Sequence, residues 1–150
     1  MTGLDLVGEV RAAGAAMEAW IRRVGPDGWA QPEDAAWSNQ DLLGHLAAWS
    51  DLLMDQLEAV TSHQPRAIEE VDIDAWNAAQ VARRRDRSAQ ETVGEWHRAM
   101  CRATGTIERL PPDAWDRAWQ VTWATEPVSV AGILRIWLHH LDQHHARLGT

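Results

Sequence analysis

The 150-residue chain has no Lys, no Tyr, no Phe and a single Cys. Without Lys there is no amine for a Schiff base, and without Tyr no phenol to act as acid or base. One cysteine, Cys101, excludes an internal disulfide. No apolar run approaches the length that crosses a bilayer, so no membrane partner is expected. Positive charge is also scarce: 14 Arg face 22 Asp and Glu, for a formal charge of -8. A protein that reads a phosphate backbone needs a basic surface, so nucleic acid is not an expected partner. The start Met-Thr-Gly-Leu-Asp-Leu lacks the basic and apolar regions of a signal peptide, and the expectation is a soluble cytoplasmic protein.

What remains is enough for one domain over residues 1–150, with a core that needs no structural metal. Ten Trp supply most of the bulk for core and pocket. Wherever hydrophobic periodicity is clear it is helical, and strand signals are nearly absent, Gln120 to Trp123 being the one short candidate. The first helix carries Leu6, Val10, Ala13, Met17, Trp20, Ile21 and Val24, and stops at Gly25-Pro26-Asp27-Gly28. A second opens at Ser38, with Asp41 completing a capping-box variant. It runs through Leu42, Leu46, Trp49, Leu53, Leu57 and Val60 to end near Gln64-Pro65. Ser88 and Glu91 open a third, with its stripe on Val93, Trp96, Met100, Ala103, Ile107 and Leu110. Ser129 opens the last, with Val130, Ile133, Leu134, Trp137, Leu141 and Leu148 facing inward. Asp72 to Asp86 reads as a shorter helix or an irregular crossover. A short repeat supports two helical hairpins: Arg23-Val-Gly-Pro-Asp-Gly-Trp29 returns as Arg109-Leu-Pro-Pro-Asp-Ala-Trp115, each leading to a Ser-capped helix. Turn chemistry alone also selects such residues.

The most informative run is Trp137-Leu-His-His-Leu-Asp-Gln-His-His-Ala-Arg-Leu148. His140 and His144 stand one helical turn apart, near enough for two imidazoles to share an ion. Ile133, Trp137, His140 and His144 follow steps of four, three and four, which puts the pair on the inward stripe. His139 and His145 are rotated about 100 degrees away, toward the edge or solvent. The other half of a site is His45, which lies between Leu42 and Trp49 on the apolar border of the second helix. Three inward histidines from two facing helices can converge. Taken alone, His45 also reads as a hydrogen-bonded core histidine, and the pair as a solvated helix end. His63 and His97 have no histidine partner at this spacing and read as structural.

Trp37-Ser38 through Asp41-Leu-Leu-Gly-His45-Leu-Ala-Ala-Trp49, with Ser129-Val-Ala-Gly-Ile-Leu ahead of His140, His144 and His145, resembles the DinB/YfiT-like superfamily. The resemblance implies an all-α four-helix bundle of up-down-down-up connectivity, with a long crossover between helices two and three. It implies a divalent ion on His45, His140 and His144, and often a homodimer. It also implies one of several chemistries: thiol S-transfer with mycothiol, bacillithiol or glutathione, mycothiol-dependent isomerisation, or hydrolysis of genotoxins. Relatives often carry His-His where this chain has Gln143-His144, its extra histidine falling at His145.

Three neutral imidazoles suit zinc or nickel and leave positions for water or a small-molecule substrate. A peptidase is excluded, because the helical metalloprotease signature has Glu directly after its first His, and here that place is Leu141, with Asp142 turned away. A rival nucleophile is Cys101, one turn from His97, although its place beside Met100 predicts a buried thiol. Arg83-Arg-Arg-Asp-Arg87 could bind an anion or be a solvated face. Asp72, Asp74, Trp76 and Asn77 are expected near the pocket mouth, and Trp49 and Trp137 as its walls, though core packing alone would also explain these two tryptophans. Two classes of function remain: a metal-dependent enzyme acting on a small reactive molecule, or a non-catalytic metal-binding or stress-response bundle.

Overall fold

The computed structural model describes residues 3–30, 37–62, 72–119 and 124–148. The three helices that open at Ser38, Ser88 and Ser129 begin where their caps predict. Ser38 Oγ accepts from the Asp41 amide and Asp41 Oδ2 from the Ser38 amide, both at 3.1 Å, so a carboxylate one methylene shorter than Glu still closes the box. Ser88 and Glu91 close theirs at 3.1 and 2.7 Å. Ser129 Oγ accepts from the Gly132 amide at 3.0 Å. The elements are α1 (Gly3–Val24), α2 (Asn39–Thr61), α3 (Ile73–Arg83), α4 (Ala89–Glu108) and α5 (Val130–Leu148). The expected end of the second helix at Gln64-Pro65, and His63, lie outside the described residues, as does the strand candidate at Gln120 to Trp123.

The strands among the described residues are two-residue pieces, β1 (Ala118–Trp119) and β2 (Val128–Ser129), paired antiparallel with Ala118 opposite Ser129. They are too short for an alternating pattern to show in sequence, and they deliver the chain directly into α5.

The repeated segments take the same local structure. Pro26–Gly28 and Pro112–Ala114 each form one 3-10 turn followed by a tryptophan in the right-handed helical region. The carbonyl of Trp29 then accepts from Gln40, and that of Trp115 from Ala131, each the second residue of the helix that follows. Gly25, at φ 64, makes the reversal after α1 that a side chain would strain.

Cross-helix pairs give the directions. Gln40 bonds the Arg87 carbonyl at one end of α2, and Thr106 reaches Glu58 at the other, so α2 and α4 run side by side in the same direction. Glu18 with His97 and Arg11 with Glu108 set α1 antiparallel to α4. Ser50 with Trp137 and His45 with His140 set α5 antiparallel to α2. Because α2 packs against both α4 and α5, residues 42 to 48 are all buried, polar His45 included. Trp96, Trp137, Leu46, Met54, Leu57, Leu134 and Leu141 fill the centre. At its polar edge Arg102 binds Asp51, Asp55 and Glu58 at 3.2, 2.5 and 3.1 Å, one cation serving three carboxylates spaced a turn apart on α2. None of the helices among the described residues is long and apolar enough to cross a membrane.

Candidate metal centre

His45 comes from α2 and His140 and His144 from α5. The sandwiched position of α2 buries His45 to 3% exposure. The helical phase of α5 turns the other two toward it, half-buried. The three ligand nitrogens lie within 4.8 Å of one another. His140 Nε2 is 3.1 Å from both His45 Nε2 and His144 Nε2. His139 is exposed and His145 sits at the edge, as the phase argument requires.

Protons serve this arrangement badly. A neutral imidazole has one N–H and one lone pair, so His140 Nε2 can donate to one neighbour or accept, but it cannot satisfy two nitrogens at full strength. The ring's other nitrogen does not relieve the strain on His45, whose Nδ1 is buried without a hydrogen-bond partner among the described residues. An ordinary core histidine avoids that cost of about 1–3 kcal/mol. A cation suits the same geometry. Nitrogens bound at about 2.0–2.1 Å to a single ion stand roughly 2.8–3.4 Å apart, from octahedral to tetrahedral angles. The two 3.1 Å separations fall in that interval, so the residues present fit a divalent ion.

The electrostatics keep the lone pairs available. Burial, then the neighbouring His140, His144 and Arg84, pushes the His45 pKa down to about 3. Burial, then His144 and His139, pushes His140 down to about 4. Both imidazoles are therefore neutral at pH 7 without any metal. Their folded pKa values lie below the ordinary 6.5, so the unfolded chain takes up the protons first as pH falls. The stability they contribute is intact above pH 6.5 and is lost as pH falls below it, down to about 4 for His140 and about 3 for His45. In metal-free protein each group should cost about 1.4 kcal/mol per pH unit in that window, about 2.7 kcal/mol per unit for the two. Urea unfolding of metal-free protein at pH 7 and pH 5 measures this, and His45→Gln should flatten the dependence.

Tryptophans line the triad. Trp37 lies 4.7 Å from His45 between ring centroids, and Trp49 lies 5.6 Å from His140 and 6.3 Å from His45. Trp37 was not singled out as a wall by sequence, because it stands before the helix that it serves. Trp137, expected as a wall, is instead a core residue: its indole N–H donates to Ser50 Oγ at 2.8 Å, and Ser50 donates to the Leu46 carbonyl. Of the crossover residues, Trp76 and Asn77 reach Trp49, while Asp72 caps α3 and Asp74 is exposed.

The rival features resolve differently. Cys101 is exposed, not buried on the core stripe, because it is turned about 100 degrees from Met100 on the helix. His97 pairs with Glu18 at 2.6 Å across to α1. Within the arginine run, Arg84 and Arg87 both bind Glu95, at 2.5 and 2.6 Å. Arg84 lies directly over Gly44, where a Cβ would come within 2.9 Å of its Cδ. Glu95 keeps its carboxyl ionised below the usual range: burial opposes this, and the two guanidiniums overcome it. Those two cations are engaged internally, and Arg83 and Arg85 are exposed or at the surface.

The family model of the DinB superfamily matches residues 9–148. The chain belongs to the DinB superfamily. Among solved structures this DinB chain is similar to the mycothiol-dependent maleylpyruvate isomerase, with TM-score 0.84 at 12% identity, over 100% of this chain and 62% of that one. A histidine-to-alanine variant of that enzyme gives 0.85 at 10% identity, with the same coverage. A structural-genomics protein from Streptococcus pneumoniae gives 0.74 at 11% identity, over 99% of this chain and 89% of that one. At these identities the likeness is one of fold, and the chain spans 62% of the isomerase's length. No curated protein matches the chain by sequence.

Proposed function

We propose that His45, His140 and His144 hold one divalent ion, zinc or nickel, and that the protein is a metal-dependent enzyme. Its reaction in this reading is transfer of a low-molecular-weight thiol such as mycothiol to a small electrophile, or isomerisation or hydrolysis of a reactive small molecule. The observation that carries the reading is the convergence of three Nε2 atoms, one of them 3.1 Å from both others, in a DinB chain. Three protein ligands leave coordination positions open, which is the arrangement of catalytic sites. When bound, the ion would supply a thiolate or hydroxide near neutral pH.

The residues of this chain do the rest. His45 and His140 present lone pairs without first losing protons at pH 7. Trp37 and Trp49 set apolar rings against the triad. The helical peptidase arrangement does not apply, because Leu141 is buried beside His140 and Asp142 is exposed. The fold likeness to a mycothiol-dependent enzyme favours the thiol branch over hydrolysis.

Zinc-loaded protein should accelerate the loss of mycothiol or glutathione in the presence of chlorinated or epoxide electrophiles, and a chelator should abolish the acceleration. If the ion is bound and no thiol or electrophile in the panel is consumed faster, the protein is a metal-retaining bundle without this turnover.

A further inference from the structure

Among the described residues, the crossover helix meets the triad through Trp49. The indole N–H of Trp49 donates to Asn77 Oδ1 at 2.9 Å, and Trp76 lies edge-on to Trp49 at 5.2 Å and 64°. On its other side Trp49 is 5.6 Å from His140. A chain of rings thus runs from the candidate ligands out to α3.

This helix is an odd structural element. None of its 11 residues is buried, although Asp72 caps its start. A helix of that length is marginal by itself in water, and most helices hold to a protein by an apolar face. Among the described residues α3 has no such face in the core; its side-chain attachments there are Trp76 and Asn77 on Trp49, and, just past its end, Arg84 on Glu95. Its placement therefore serves the surface beside the triad. That surface is apolar and partly open: Trp37, Trp49 and Trp76 are each only half-buried. Two guanidiniums of the adjoining run, those of Arg84 and Arg87, are turned to Glu95.

We propose that Trp49 and Trp76, held in place by Asn77, form a subsite for a flat, apolar group of the substrate. The part of this that seats the reactive end on an ion rests on the metal reading above. Asn77 is a positioning residue that acts through Trp49. Ligand pockets pair aromatic walls with a few placed polar groups, and aromatic rings pair with other planar rings edge-on or offset-stacked.

Cobalt-loaded protein, titrated with benzyl mercaptan and with 2-mercaptoethanol, reports binding through the thiolate-to-cobalt absorption band and needs no turnover. Trp76→Ala and Asn77→Ala should each weaken benzyl mercaptan about fivefold, equivalent to about 1 kcal/mol, and leave 2-mercaptoethanol unchanged. Asn77→Asp, which still accepts the indole N–H, should restore benzyl mercaptan binding. No residue of α3 belongs to the core of the bundle, so both alanine variants should stay folded and keep the bundle's cooperative thermal transition. An unchanged ratio of the two thiols in both variants overturns the subsite. A second arm uses metal-free protein and benzyl alcohol, read by the indole N–H signals in nitrogen-15 NMR. Shifts at Trp49 and Trp76 support the subsite even if the protein takes up no cobalt, an outcome that would sink the metal reading alone. Signals that stay unmoved overturn the subsite.

Discussion

His140→Ala will abolish divalent metal binding, while His139→Ala, one residue away, will leave it intact. His140 is the centre of the triad, with its Nε2 3.1 Å from each of the other two nitrogens. Removing it leaves His45 and His144 on different helices, with only a single imidazole contributed by each. Changes that merely disturb the support of a metal ligand cost about 10- to 100-fold in affinity, so loss of the central ligand should exceed about 100-fold. His139 is exposed and points away, so its loss removes no donor. The contrast has a stability counterpart. Wild-type protein at an ion concentration a hundredfold above its dissociation constant should gain about 2.7 kcal/mol, and His140→Ala should gain essentially nothing. Competition titration against a chromophoric chelator and thermal unfolding with and without zinc measure the two effects. Equal affinity in both variants would remove His140 from the site.

Trp137→Ala will produce the largest loss of stability expected from a residue near the triad, about 3–5 kcal/mol. Trp137 is fully buried one turn before His140, and its indole is the link through which α5 takes its register against α2. Alanine would leave a cavity the size of an indole in a core where Ile133, Leu134 and Leu46 are also fully buried. Trp137→Phe should cost less. It keeps most of the volume and strands no donor, since Ser50 continues to donate to the Leu46 carbonyl. Urea denaturation of the metal-free proteins gives both values. If Trp137→Ala were as stable as wild type, the Ser50–Trp137 link would not be what sets the facing of the two histidine-bearing helices.

The triad was legible in sequence because it depends on local rules. Ser38 with Asp41 and Ser129 start two helices at definite residues, and the 3.6-residue period from those starts sorts His140 and His144 from His139, and turns His45 inward. The helices themselves were legible for the same reason, and the repeated Pro-Asp turn proved to anchor both α2 and α5 through a tryptophan carbonyl. What sequence did not show depends on pairing across distance. Trp49 meets Asn77 from 28 residues away, and α3 has no apolar face whose period could announce where it docks. Arg84 and Arg87 looked like a free basic run until folding placed Glu95 between them. The position of Cys101 was legible in principle: its helical phase differs from that of Met100, and the general tendency of cysteine to be buried outweighed the specific phase.

X-ray absorption on zinc- or nickel-loaded protein, purified without a histidine tag, tests the three-histidine centre most directly. Three imidazole nitrogens at about 2.0–2.1 Å, with the remaining ligands light oxygen or nitrogen donors, are the predicted first shell for zinc, and His144→Ala should reduce the imidazole count. A shell containing sulfur from Cys101, an ion with fewer than three imidazoles, or protein that binds no ion above background would contradict it.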